Sequence, residues 1–213
     1  MYQIDIIVPA MRHGRASHFM TNTYFTVYAV TYNDPVLSRE WEDAGATVIE
    51  APESTFAKKC NYAFTQTRGE WSLYVGEDVE FTQSWYEAFP KYSKYGVVGT
   101  NALLFSNETR SPHLIINRDY TLEIGGSWDT KLPFHTYIHN YADTETIAKA
   151  MHYNQWIYAS DIIIKHLHPA AGLGTKDEVY LMGDKSFYKD QHTYNSRLEK
   201  YSHAVSAGTH WGL

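Results

Sequence analysis

A chain of 213 residues, 44% hydrophobic and 20% charged, can bury a sizeable core and is too apolar to be disordered. Its net charge of −6 exerts no overall pull towards nucleic acid or anionic lipid, and its one cysteine, Cys60, excludes a disulfide within the chain, as suits a reducing cytoplasm. The N-terminal stretch lacks the basic start and apolar run of a signal peptide, and no stretch reaches membrane-spanning length, so a cytoplasmic protein without a membrane partner is expected.

The first predicted strand is IDIIVPA (4–10), a short β-branched run ended by Pro9. A loop and helix follow in MRHGRASHFMTNT, then a strand YFTVYAVT (24–31) closed by the turn YNDP. VLSREWEDAG reads as a helix stopped by Gly45, and ATVIEAP as a third strand. STFAKKCNYAFTQTRGE is a helix capped by Ser54 or Thr55, with Phe56, Ala63 and Phe64 on its inner face. WSLYV is the fourth strand. Strands and helices alternating at this spacing predict right-handed βαβ units and an α/β domain with a mostly parallel central sheet and helices on both faces. In such sheets ligands bind at the carboxyl ends of the strands.

The second half is less regular. QSWYEAFPKYSKYG predicts a helix and turn, and VVGTNALLF a strand. SPHLIINRDYTLEIGGSWD mixes a short strand, a short helix and a Gly-Gly turn. ADTETIAKAMHYN reads as a helix, WIYASDIIIKHLHP as a strand ending in two histidines, and the rest as loop and then a polar, aromatic helix.

Two features carry chemistry. LYVGEDVEF (73–81) opens as an apolar strand and ends with Glu77, Asp78 and Glu80 crowded together. Carboxylates this close repel one another and resist leaving water, so either the turn is simply solvated or a cation sits there. As a cation site, short Asp78 just past the strand end is the best ligand, Glu77 faces the same ligand, and Glu80 is solvated. In HLHP, His166 and His168 are two apart and point the same way on an extended strand. Imidazole with carboxylate suits Mn²⁺, and would also suit Zn²⁺ or Fe²⁺.

The order of motifs adds a resemblance. An IVP first strand, Lys59 and Asn61 in a K-x-N helix, GEW, YVGEDVEF, IGGSWD, YADTE and HLHP together resemble the GT-A fold glycosyltransferases, most closely family 2 and its small soluble phage-encoded type. The resemblance covers Ile4 to about Pro169. It implies a single domain with a nucleotide-sugar-binding half (1–100) and an acceptor-binding half (101–213), a divalent metal, Mn²⁺ or Mg²⁺, and a UDP-sugar or other nucleotide-sugar donor. The family's Asp-x-Asp metal motif stands here as Gly76-Glu77-Asp78, without its first Asp. The metal then falls to Asp78 with His168 or His166, His168 being favoured.

Further roles follow from the same resemblance. Arg12 and Arg15 match the loop that reaches the nucleotide, or are solvated loop charges. Asp34 matches the acid that reads the base, or belongs to a plain turn. Lys59 matches a diphosphate contact, with Asn61 bracing the loop. Glu77 joins the donor site, Gly125 and Gly126 allow close backbone approach, and Trp128 and Asp129 line the sugar and acceptor pocket. Asp143 matches the base of inverting members, with Glu145 and Asp129 as fallbacks; a helix cap is the other reading of Asp143. The compact phage-like pattern implies a 5-hydroxymethylpyrimidine in DNA as the favoured acceptor. Lys185, Lys189, Tyr194 and Arg197 in the last helix would contact it, or else that helix only packs on the core. A protein or polysaccharide acceptor, a nucleotidyltransferase and a non-catalytic sugar-binding protein are the alternatives.

Overall fold

The computed structural model describes residues 2–20, 25–82 and 84–205. Four strands, β1 (Ile4–Val8), β2 (Val27–Thr31), β3 (Thr47–Glu50) and β4 (Trp71–Tyr74), pair in parallel in the order β3-β2-β1-β4. The helices α1 (Ala16–Met20), α2 (Pro35–Asp43) and α3 (Phe56–Gln66) connect them. Four more strands, β5 (Val79–Phe81), β6 (Val97–Asn101), β7 (Leu114–Asn117) and β8 (Trp156–His166), continue the same sheet as β4-β7-β6-β8-β5. Here β7 runs antiparallel to both neighbours, β8 parallel to β6, and β5 antiparallel to β8. The expected parallel sheet therefore describes the first half; the whole sheet is mixed. The helices α4 (Arg118–Glu123), α5 (Ala142–His152) and α6 (Glu178–Val205) complete the domain.

The pleat of β1 explains why helices cover both faces. Ile4, Ile6 and Val8 point one way, into a cluster with Phe19 of α1 and Leu37 and Trp41 of α2. Ile7 points the other way, onto Ala57, Cys60 and Ala63 of α3 and Ile147 of α5. Each helix covers one sheet face with its apolar stripe. Asp34 starts α2 as its cap: its Oδ1 accepts the Leu37 amide at 2.9 Å, and Pro35 supplies a preset first turn. Gly45, at φ +99°, lets the chain leave that helix.

Two expectations fail locally. Residues 84–96 form turns and one 3-10 turn at Phe89–Lys91 instead of a helix, while residue 83 lies outside the described residues. Pro90 lacks an amide donor and cannot carry a helical hydrogen bond, while Trp85 and Phe89 are both buried in the core. Of the strand expected over 24–31, residue 24 lies outside the described residues and the strand runs from Val27 to Thr31. The strand β5 was not foreseen: three residues, with Val79 and Phe81 buried and Glu80 outward, are too few to show a period.

Candidate active site

The acid cluster meets the histidines because β5 pairs with the end of β8. A bulge sets in where β8 passes Asn101: Thr100 faces Ala159 but Asn101 faces Ile163. Beyond it β8 turns its last residues to β5, with Val79 opposite His166. The Leu167 amide then donates to the Asp78 carbonyl at 2.8 Å. This register places His166 Nε2 3.6 Å from Asp78 Oδ2, beyond hydrogen-bonding distance.

Arg12, in the loop after β1, supplies the positive charge that the acid cluster requires. Its guanidinium lies 3.2 Å from Glu77 Oε1, 3.6 Å from Asp78 Oδ2 and 2.5 Å from Asp177 Oδ2. The Met11 amide donates to Glu77 Oε2 at 2.9 Å, so Glu77 is buried and fully engaged in fixing this loop. Burial pushes the Glu77 carboxyl up, against the Met11 amide and Arg12. Burial also opposes ionisation of Asp78, but His166, the Tyr180 hydroxyl and Arg12 outweigh it and hold that carboxyl well below the usual range. Glu80 instead pairs with Lys165 at 3.0 Å across β5 and β8, on the outer face.

Of the two histidines, the structure turns His166 towards Asp78. The ring of His168 stands 5.1 Å from that of His166 and edge-on to Phe105 and Tyr180. Its Nδ1 accepts the Ala170 amide at 3.0 Å, capping a 3-10 turn. His166, and not the favoured His168, is therefore the histidine beside Asp78. Behind His166 lies His113, whose ring centroid is 5.2 Å away. Burial, reinforced by His166, pushes His113 down to about 3, so it is neutral. Sequence reading missed His113, Asp177 and Tyr180; an isolated His, Asp or Tyr in a loop or helix gives no signal of its own.

A second cluster gathers the candidate bases. Arg197 of α6 binds both Glu145 oxygens at 2.7 Å and both Asp129 oxygens at 2.8 and 2.9 Å. Glu145 is 1% exposed and also accepts the Tyr137 hydroxyl at 2.6 Å and the Trp128 amide at 3.2 Å. It is saturated as a structural anchor. The Arg197 hydrogen bonds hold Asp129 down to about 2, which makes it a poor base. Asp143 differs. It is not the cap of α5, a place held by Tyr141 at φ +67°. Its carboxylate accepts only from Thr144, at 2.8 and 3.3 Å, and forms no ion pair among the described residues. Burial pushes its carboxyl up.

Other expected contacts turn out to be internal. Lys59 is buried and donates to the Ala10 carbonyl at 2.7 Å, holding the loop after β1 from beneath instead of facing solvent for a diphosphate. Asn61 braces a loop, exchanging two hydrogen bonds with the Phe134 backbone at 2.8 and 3.0 Å. Besides capping α2, Asp34 lies 3.2 Å from His13. Gly125 and Gly126 do permit close approach, but of their own loop: a Cβ on Gly126 would meet the Pro133 carbonyl at 1.9 Å. The Trp128 ring stacks on Tyr201. In α6, Tyr194 stacks on Tyr141 and Arg197 is committed as described, whereas Lys185 and Lys189 are exposed. Arg15 is half-buried at the start of α1 and forms no ion pair among the described residues.

The architecture is shared with solved glycosyltransferases. The mannosyltransferase PcManGT from Pyrobaculum calidifontis, in complex with GDP-Man and Mn²⁺, has a TM-score of 0.61 at 14% identity, over 98% of this chain and 76% of its own. Glucosyl-3-phosphoglycerate synthase from Mycobacterium tuberculosis, in complex with Mn²⁺, UDP and phosphoglyceric acid, has a TM-score of 0.62 at 7% identity, over 87% and 76%. TarS 1–349 from S. aureus has a TM-score of 0.51 at 16% identity, over 76% of this chain and 59% of that one. The chain thus spans under two thirds of the TarS fragment. No protein-family model and no curated protein matches the sequence. At these identities the likeness establishes the GT-A fold. No helix among the described residues is long and apolar enough to cross a membrane.

The donor set fits a hard divalent ion on one condition. No three His, Cys, Asp or Glu side chains among the described residues gather closely enough to hold a metal alone. Ions such as Mg²⁺ are commonly held by one or two carboxylates, with water and substrate phosphate filling the remaining positions. Asp78 and His166 are that kind of partial set.

Proposed function

We propose that this chain is a metal-dependent glycosyltransferase that moves a sugar from a nucleoside diphosphate sugar to a hydroxyl acceptor. The observation that carries the reading is the convergence of Asp78 and His166 at one end of the parallel half-sheet, on a fold shared with enzymes solved with Mn²⁺ and GDP-Man or UDP. Asp78 and His166 would hold the ion, Mn²⁺ or Mg²⁺, which when bound neutralises charge on the departing diphosphate. Arg15 is the cation of the β1 loop left over for phosphate, since Arg12 is engaged by three carboxylates.

Asp143 is the base. The acceptor hydroxyl passes its proton to the Asp143 carboxylate while its oxygen bonds the anomeric carbon. The bond from that carbon to the diphosphate breaks, and the nucleoside diphosphate leaves with the electron pair. One base and one displacement invert the anomeric centre. What supports Asp143 over its rivals is that Arg197 ties up Glu145 and Asp129.

For the acceptor, a hydroxymethylated pyrimidine in DNA is the second reading. Its support is Lys185, Tyr188 and Lys189, an exposed basic-aromatic surface on α6 in which Tyr188 is 79% exposed. Incubating the protein with Mn²⁺ and labelled UDP- and GDP-sugars, with and without hydroxymethylated DNA, tests both readings. Hydrolysis or transfer of one donor supports a glycosyltransferase. Label on hydroxymethylated DNA but not on unmodified DNA supports the acceptor. No consumption of any donor counts against the enzyme reading.

A further inference from the structure

Three groups converge on a single oxygen, Asp78 Oδ2. The Tyr180 hydroxyl donates to it at 2.5 Å, and His166 Nε2 and an Arg12 nitrogen each lie 3.6 Å away. A cation shared between Asp78 and His166 would claim this same oxygen, the one that His166 faces. Tyr180 lies in the first turn of α6, 102 residues further along the chain. The same turn holds Arg12 a second time. Asp177 binds the guanidinium at 2.5 and 3.3 Å, and its Oδ1 also accepts the Val179 and Tyr180 amides at 3.1 and 3.2 Å. The Arg12 guanidinium lies 5.0 Å from the centre of the Tyr180 ring.

The rest of α6 is held elsewhere. Its anchors begin at Gly183, which packs on His139, and continue through Ser186, which accepts from Asn140, and Asp190, which accepts three backbone amides at 2.9 to 3.0 Å. Before Gly183 lies a stretch, 171–176, that is exposed throughout and leaves the preceding 3-10 turn through Gly172 at φ +70°. The first turn of α6 is therefore fastened mainly to the site itself, while the remainder is fastened to the body.

We propose that the first turn of α6 is a latch on the donor site, in which Tyr180 competes with the incoming cation for Asp78. The inference rests on the metal reading of Asp78. In the latched form the Tyr180 hydroxyl and Arg12 satisfy the carboxylate. Metal and donor binding release Tyr180, and residues 171–182 swing while Gly183 onward remains fixed. Tyr180 is thus a positioning residue that sets how readily the site accepts its ion.

The test is Mn²⁺ binding with water in the positions that a donor phosphate would fill, at Mn²⁺ concentrations up to the millimolar range, followed by the free-ion electron paramagnetic resonance signal, in the full chain and in Tyr180→Phe, Asp177→Asn and Asp78→Asn. Removing a hydroxyl that is charge-assisted to Asp78 should tighten Mn²⁺ by about tenfold in Tyr180→Phe. Asp177→Asn, which loosens the latch but keeps Tyr180, should tighten it less. Ligand-free Tyr180→Phe should also exchange its amides faster over 171–182 than the unmodified chain, with 183–197 unchanged. Mn²⁺ binding that is lost in Asp78→Asn but unchanged or weaker in Tyr180→Phe overturns the latch and leaves the metal site standing. Binding by neither the unmodified chain nor Tyr180→Phe overturns both.

Discussion

Arg197 and Glu145 face each other with Arg197 Nε 2.7 Å from Glu145 Oε2, and the same guanidinium reaches on to Asp129. One side chain therefore fastens α6 to α5 and to the turn after Gly126. Arg197→Ala should leave the buried Glu145 carboxylate uncompensated, at a cost of about 3–5 kcal/mol. Denaturant unfolding checks this. An unchanged midpoint together with weaker acceptor binding would return Arg197 to the acceptor surface.

The acid side of the stability curve should carry the mark of Asp129. Its folded carboxyl titrates at about 2, against an ordinary 3.8. A lowered folded value means that the folded state binds fewer protons than the unfolded one between those limits. The stability it adds is present above about 3.8 and is lost as pH falls towards 2. Asp129→Asn should flatten this part of the curve, measured by melting from pH 4 to pH 2. Parallel curves for the two proteins would contradict the clamp.

Gly126 offers a backbone test. A Cβ there would lie 1.9 Å from the Pro133 carbonyl, a contact that only a backbone shift can relieve. Gly126→Ala should cost about 1–3 kcal/mol through overpacking. A melting temperature equal to that of the unmodified chain would mean that the 130–133 loop is looser than its packing implies.

Asp143→Asn keeps the side chain's shape and its position beside Thr144, so melting should barely change. Transfer should fall by roughly 10²–10⁴-fold, the usual range for losing a general base. Because burial pushes the folded carboxyl above 3.8, transfer should also decline on the acid side at a pH above that value, as the base takes up its proton. Undiminished transfer in the variant would remove Asp143 from the mechanism.

The parallel half of the fold was legible because β1 to β4 are apolar runs separated by helices with clear starts and stops, such as Asp34-Pro35 and Gly45. That a positive group meets Asp78 was legible because a carboxylate straight after an apolar strand conflicts with burial, and Arg12 is such a group. What joins it was not. Asp177 reaches Arg12 across 165 residues, and only the fold brings them together. The sequence also left open which face of α6 docks. Gly183, Ser186, Asp190, Tyr194 and Arg197 recur at helical spacing, but a polar stripe reads the same whether it meets solvent, a ligand or other polar groups of its own chain. Here Asp190 takes the amides of 138–140 and Arg197 the carboxylates of Asp129 and Glu145, so the stripe is an internal interface. The close approach at Gly125 and Gly126 was legible but its partner was not: they admit the backbone of Thr130 and Pro133, and sequence does not say what approaches a glycine.

Calorimetric titration of UDP- and GDP-sugars into the protein, with Mn²⁺ and with EDTA, and repeated on Asp78→Asn, asks whether Asp78 holds a metal-dependent donor site. At least one nucleotide sugar should bind in Mn²⁺, EDTA should abolish the binding, and Asp78→Asn should lose it while keeping its fold by circular dichroism. Binding that is equally tight in EDTA or in folded Asp78→Asn, or no binding of any nucleotide sugar, would contradict such a site.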